Sequence, residues 1–154
     1  MNQLMLSPEE GAFRALGVTC QSASRYYEAA IDVTGDEWKA FARDRATAYA
    51  EATRRITELL KRDELLPGSP DADMEWLKQI ALRAQTAISG DEAGTLLKSF
   101  ARTERKVWNA LGELGQTGVS PAHGQAAKDI AQITMDGFLW LGKEKEAFLD
   151  ADYN

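Results

Sequence analysis

Residues 7–13, Ser-Pro-Glu-Glu-Gly-Ala-Phe, have the form of an α-helix start, and that form recurs along the chain. Serine is a favoured N-cap, proline suits the first helical position, and a glutamate three residues after the serine completes a capping box. Ser-Pro recurs at 69–70 and 120–121, and the capping-box spacing recurs at 34–37 and 89–92. These starts predict five helices, at about residues 8–32, 36–64, 71–88, 91–114 and 121–149.

The segments between these starts are typical of a helical bundle. Leu66-Pro67-Gly68 is a stop signal for the second predicted helix, and Gly115 and Gly118 are stop signals for the fourth. Apolar residues recur every three or four positions in each predicted helix, and no stretch alternates as a strand would. Because the loops are short, helices joined by them should run antiparallel. The sequence therefore predicts one soluble all-α domain, residues 1–154, folded as an antiparallel helical bundle.

The composition argues against several classes of protein. The formal net charge is −6, whereas nucleic-acid binding relies on lysines and arginines that neutralise phosphates. Cys20 is the only cysteine, so the chain cannot form an intrachain disulfide. The apolar run 138–141 is far shorter than the roughly 20 residues of a membrane span, and the first residues lack the basic start of a secretory signal. We therefore expect a cytoplasmic protein that binds neither nucleic acid nor membrane.

Two charged residues interrupt the apolar stripes. Arg45 lies in the stripe of the second predicted helix, and Glu104 lies in the stripe of the fourth. An unpaired buried charge is costly, so each of these residues needs a partner. We expect Glu104 to pair with Arg45, or with a buried tyrosine such as Tyr27 or Tyr49, in the bundle interior. The alternative hypothesis places Glu104 in a metal or ligand site.

A metal centre is one function that a helical bundle can carry. Di-iron carboxylate bundles take a Glu-x-x-His motif from each of two helices. His123 is the only histidine here, and no glutamate stands three residues before it. This pattern argues against a di-iron site, and we expect no bound cofactor. An all-oxygen iron site is the alternative. Its candidate ligands are Glu28, Glu51, Glu104 and Asp136.

The residues suited to nucleophilic catalysis lie far apart in the sequence. Cys20 lies in the apolar stripe of the first predicted helix, where a free cysteine usually behaves as a small hydrophobe. His123 lies in the first turn of the fifth predicted helix, so no Cys–His pair is indicated. The sequence therefore predicts no catalytic residues.

Tryptophan occurs once in each of the second to fifth predicted helices, at Trp38, Trp76, Trp108 and Trp140. We interpret these side chains as parts of wide core faces. The alternative is an apolar patch for self-association or for a protein partner, because tryptophan is enriched at interaction hot spots.

Three segments carry a family resemblance. They are Cys-Gln-Ser-Ala-Ser-Arg-Tyr-Tyr-Glu-Ala-Ala at 20–30, the segment 77–92 with its Ser-Gly-Asp-Glu turn, and Ala-Arg-Thr-Glu at 101–104 with the helix that follows. Together they resemble a family of small bacterial ferritin-like proteins of unknown function. The resemblance implies a ferritin-like antiparallel four-helix bundle with an additional crossover helix, the third of five. It also places Glu104 at an acidic position of the family.

The chain departs from this family at two places. Residues 134–140 contain no histidine, and Arg45 stands on the core face of the second predicted helix, where no acidic residue is found. The leading hypothesis is therefore a non-catalytic binding or assembly protein without bound metal, whose partner is another copy of the chain or a different protein. One alternative is a ferritin-like iron-binding protein with carboxylate ligands. Another is an acidic interaction or inhibitor module, which would need a contiguous acidic face.

Overall fold

The computed structural model describes residues 6–63 and 93–152 of the chain. These ranges contain four helices and no strand: α1 (Pro8–Ile31), α2 (Asp36–Arg62), α3 (Ala93–Gly115) and α4 (Pro121–Asp152). They correspond to the first, second, fourth and fifth predicted helices, and each bound lies within three residues of its prediction. The all-α prediction is thus confirmed for the described residues. The third predicted helix, 71–88, lies outside the described residues.

The first helix begins as the sequence predicts, whereas the second does not. Ser7 forms a full capping box with Glu10: the Glu10 amide donates to the Ser7 hydroxyl over 3.1 Å, and the Glu10 carboxylate accepts from the Ser7 amide. The prediction that Thr34 caps the second helix is wrong. The N-cap of α2 is Gly35, and no side chain caps this helix. The hydroxyl of Thr34 instead donates to the carbonyl of Ala30, at the end of α1.

The four helices form a bundle in which two connections are short and one is long. α1 packs against α2 and α3, and α4 packs against the same two helices. Tyr26, near the end of α1, donates a 2.7 Å hydrogen bond to Ser99, near the start of α3, so these helices are antiparallel. Trp38, near the start of α2, donates to Glu144, near the described end of α4, which makes that pair antiparallel as well. The chain between α2 and α3 therefore joins opposite ends of the bundle.

The apolar stripes of the four described helices meet in a single core. Its centre is aromatic: the ring centroids of Tyr27 and Phe100 lie 5.4 Å apart, and Phe41 stacks on Trp140 at 3.8 Å. Helix α1 approaches α2 closely at Gly17, where a Cβ atom would lie 2.8 Å from the side chain of Ile56. None of the helices in the described part of the chain is long and apolar enough to cross a membrane.

Candidate functional site

The centre of the bundle contains a buried ion pair between Arg45 of α2 and Glu104 of α3. The guanidinium Nε lies 2.8 Å from the carboxylate Oε1. Arg45 is 7% exposed and Glu104 is fully buried. Arg45 also donates from Nη2 to the carbonyl of Ile133 in α4 over 2.5 Å. The structure thus brings together the two charged residues that interrupt the apolar stripes.

Two tyrosines complete the hydrogen bonding of the Glu104 carboxylate. The Tyr27 hydroxyl donates to Oε1 over 3.2 Å, and the Tyr49 hydroxyl donates to Oε2. The hydroxyl of Thr134 lies 3.0 Å from that of Tyr49. The sequence offered Arg45 and the tyrosines as alternative partners, whereas the structure uses all three at once. The sequence did not indicate Thr134, because the position of a threonine within a helix does not show which neighbour its hydroxyl will contact.

The electrostatics of this network favour one positive and one negative charge with neutral phenols. Burial raises the pKa of Glu104, and the positive charge of Arg45, followed by the hydrogen bonds from Tyr49, Arg45 and Tyr27, only partly offsets that effect. Burial alone would lower the pKa of Arg45, but the neighbouring Glu104 carboxylate raises it above its usual value. Burial, followed by the charge of Glu104, raises the pKa of both Tyr27 and Tyr49. Both phenols therefore keep their protons and act as donors.

Gly137 makes room for this network on α4. A Cβ atom at this position would lie 2.4 Å from Glu104 Oε1 and 2.9 Å from Arg45 Nη2. Real Cβ atoms do not approach other atoms so closely, and both neighbours are fixed by hydrogen bonds. The absence of a side chain at residue 137 is therefore a requirement of the ion pair.

The structure does not bring the four candidate iron ligands together in one site. Glu104 points into the bundle and its two oxygens accept hydrogen bonds from Arg45, Tyr27 and Tyr49. The other three candidates are exposed on the outside of their helices; they are Glu28, Glu51 and Asp136. Glu28 and Glu51 line a groove of about 400 Å³ between α1 and α2, and Asp136 accepts a hydrogen bond from Gln132.

The described ranges consequently hold no group of three or more His, Cys, Asp or Glu residues that could bind a metal ion. The physical reason is that the candidates other than Glu104 flank their apolar stripes, so the rotation that buries each stripe turns them outward. A divalent cation at Glu104 would also have to displace the guanidinium of Arg45, which already neutralises the carboxylate.

Cys20 and His123 occupy separate environments. Burial, with a smaller contribution from Glu104, raises the pKa of the Cys20 thiol to about 12, so the sulfur is kept in its unreactive protonated form. The ring of His123 stacks on Phe13, two helical turns from Cys20 along α1, with centroids 3.9 Å apart. Its nitrogens face Glu9 and Asp63.

The described tryptophans divide between core and surface. Trp38 and Trp140 pack against the core, which agrees with the first interpretation. Trp108 on α3 is 43% exposed and contacts Phe138 of α4, with ring centroids 6.3 Å apart. Met135 and Leu139, also on α4, are 44% and 61% exposed. Trp76 lies outside the described residues.

These exposed side chains, together with the partly buried Phe138, define a surface that we call the α3–α4 face: Trp108, Met135, Phe138 and Leu139. Residues 135, 138 and 139 share one side of α4 by their spacing, and Trp108 adjoins them through Phe138. A contiguous exposed apolar patch marks an interaction site more often than isolated apolar residues do.

Comparison of the chain with protein-family models, with curated proteins and with solved structures gave no match.

Proposed function

We propose that the chain adopts a ferritin-like bundle in which residues 71–88 form a fifth, crossover helix. The directions of the four described helices support this, because one long connection between the second and third of them is typical of ferritin-like bundles. An 18-residue helix would span about 27 Å, most of the distance along the bundle that the connection must cover. Helical ¹³Cα chemical shifts across 71–88 are the expected observation.

We further propose that the protein is a non-catalytic binding protein that works without a bound metal. The α3–α4 face is the observation that carries this proposal, because it exposes three large apolar side chains that the core does not use. The buried network supports it indirectly. Both oxygens of the Glu104 carboxylate accept hydrogen bonds within that network, and the ion pair is buried, so the carboxylate offers no vacant site to a substrate.

The size of the α3–α4 face suits a single amphipathic helix. On the outer side of α4, Ala131, Met135 and Leu139 follow one another at four-residue spacing and are partly or fully exposed, with Gly142 three residues further. This strip is about 17 Å long, and at the usual 8–10 Å between packed helices it covers a few hundred Å². Two folded proteins that associate stably each bury roughly 800 Å². A single amphipathic helix that lays its apolar face on such a strip needs less.

The charges around the α3–α4 face indicate that this partner helix is acidic. Arg105 lies three residues before Trp108, and Lys143 lies four residues after Leu139, so both flank the apolar strip and both are exposed. Lys128 is also exposed and lies seven residues, or about two helical turns, before Met135 on the same side of α4. Among the residues whose side chains the structure describes, Asp136, three residues before Leu139, is the acidic residue at a comparable spacing, so the described rim is basic on balance. Complementary charge would steer and orient a helix that carries glutamates or aspartates.

Two synthetic 18-residue peptides test this proposal on the full chain. Both carry leucines at helical three- and four-residue spacing, and the remaining positions are glutamates in one peptide and lysines in the other. In fluorescence anisotropy with labelled peptide, we expect the glutamate peptide to bind at least about tenfold more tightly, a difference of about 1.4 kcal/mol. Leu139→Glu should weaken its binding by a similar factor, because it adds repulsion and removes an apolar contact.

The matched control is Ala15→Glu, which adds the same charge at an exposed position of α1 and should leave binding unchanged. Equal affinity for the two peptides, or no effect of Leu139→Glu, would contradict the proposal. Sedimentation of the chain without peptide tests whether the face instead binds a second copy of the chain. A mass that doubles with concentration and returns to that of a monomer in Leu139→Glu would identify a second copy as the occupant.

A further inference from the structure

His123 lies where three helix ends meet: the start of α1, the end of α2 and the start of α4. Its Nδ1 lies 2.9 Å from Oε1 of Glu9, and its Nε2 lies 3.2 Å from Oδ2 of Asp63. The imidazole plane is within 9° of the ring of Phe13, on which it stacks. The side chain is 7% exposed, so carboxylates rather than bulk water face its two nitrogens.

When both carboxylates are ionised, only the doubly protonated ring can donate a hydrogen bond to each of them. An ionised carboxylate can only accept hydrogen bonds, and a neutral imidazole has one N–H. The imidazolium donates to Glu9 and Asp63 together. After the loss of one proton, one ring nitrogen presents a lone pair to a carboxylate, and that contact becomes repulsive. Imidazoles exchange this proton between about pH 5 and 8.

The contact with Asp63 is the one expected to open. The Glu9 contact is shorter, and Glu9 is also held by the backbone amide of Ser120, which donates to Oε1 over 2.6 Å. That hydrogen bond and the Ser120 hydroxyl, with a smaller contribution from His123, keep the pKa of Glu9 below its usual 4.5. The side chain of Asp63 is 47% exposed, so water can replace the ring as its partner. Glu9 from α1 and Asp63 after α2 are the charged groups that contact the ring in the described part of the chain.

We propose that His123 is a pH-sensitive clamp on the end of α2. In its protonated form it joins Asp63 to Glu9 and so ties the end of α2 to the starts of α1 and α4. In its neutral form it keeps Glu9 and releases Asp63, and the last turn of α2 opens more often. This inference rests on the described contacts of His123 and does not depend on the α3–α4 face.

Hydrogen exchange of the full chain, followed by NMR at pH 5.5 and pH 8.0, tests the clamp. Because His123 is the only histidine, one imidazole signal reports its protonation directly. After correction for intrinsic exchange rates, we expect the opening equilibrium of the amides at residues 59–62 to rise about fivefold at the higher pH. That is the scale of one charge-assisted hydrogen bond at a half-exposed site. Amides around Tyr49 in the middle of α2 should not change.

Two variants separate the clamp from a general effect of pH. His123→Gln keeps a donor and an acceptor but cannot take up a proton, so its opening at 59–62 should be the same at both pH values. Asp63→Asn changes a half-exposed side chain and should remove most of the pH dependence while the protein stays folded. Equal opening of the unaltered chain at both pH values would overturn the proposal. So would a normal pH dependence in Asp63→Asn.

Discussion

Arg45 supplies the positive charge that the buried carboxylate of Glu104 requires. The same carboxylate accepts from Tyr27, which belongs to α1, and the guanidinium reaches the carbonyl of Ile133, which belongs to α4. All four described helices therefore contribute a group to one network. A buried pair gives little net stability relative to apolar residues, but the loss of one partner leaves an uncompensated charge. We infer that the network chiefly fixes how the four helices are rotated against one another.

Removal of either charge should therefore lower the free energy of unfolding. Removal of both should lower it by less than the sum of the two single losses. Arg45→Met and Glu104→Gln should each lower the free energy of unfolding by about 3 kcal/mol. The double variant should recover about 1–3 kcal/mol of that total, since each single change leaves a partner without its opposite charge. Urea unfolding followed by circular dichroism measures all three.

The exposed pair Arg54–Glu58 on α2 provides the matched control. Its 2.9 Å contact resembles that of the buried pair, but both side chains are more than half exposed. Arg54→Met and Glu58→Gln should each change the free energy of unfolding by less than about 1 kcal/mol. If Arg45→Met cost no more than Arg54→Met, charge compensation would not be the role of the buried pair.

At the scale of the helices, the sequence predicted what depends on neighbouring residues along the chain. The capping box at Ser7 is complete within four residues, so its outcome could be predicted without knowledge of the fold. The start of α2 could not be assigned in the same way. Thr34 has the spacing of a cap, but its hydroxyl is used by the carbonyl of Ala30 in the preceding helix. That competing contact belongs to α1, so the pattern of the helix start does not contain it.

The close approach of α4 to the ion pair predicts opposite effects at two of its glycines. Gly137→Ala would place a methyl group 2.4 Å from a carboxylate oxygen of Glu104, and we expect a loss of about 1–3 kcal/mol in the free energy of unfolding. Gly142 lies on the same helix with no atom within 4 Å of an added Cβ. Gly142→Ala should therefore stabilise the protein by up to about 1 kcal/mol, through the better helix propensity of alanine.

Thermal and urea unfolding of the two variants would be measured side by side. Both variants replace a glycine of α4 by alanine, so helix propensity alone predicts that both change the free energy of unfolding in the same direction. A stabilising Gly137→Ala would show that α4 can move away from Glu104 without loss of the ion pair.

At the scale of the whole molecule, the sequence predicted the apolar stripes that form the described core but not the contacts between them. Periodicity along one helix says which residues are buried, yet the partner of each residue depends on how its helix is rotated and which helices are adjacent. Arg45 and the tyrosines were therefore alternatives for Glu104, and the structure combines them. The same limit applies to Glu28 and Glu51, which lie at the edge of their stripes and come to line an exposed groove between α1 and α2.

The separation of these carboxylates leads to an expectation about iron. The full chain would be incubated with ferrous iron in air, desalted and analysed for metal by mass spectrometry. We expect less than about 0.1 iron per chain, because an oxygen-ligand site needs several carboxylates that converge. Here Glu104 is paired with Arg45, and Glu28, Glu51 and Asp136 face outward. Glu104→Ala should give the same background, as should Glu58→Ala, which removes an exposed carboxylate of α2.

One or two irons per chain, lost in Glu104→Ala and kept in Glu58→Ala, would instead make the protein a ferritin-like metalloprotein. Arg45 would then have to leave the carboxylate when iron binds, and its Arg45→Met variant should bind iron more tightly.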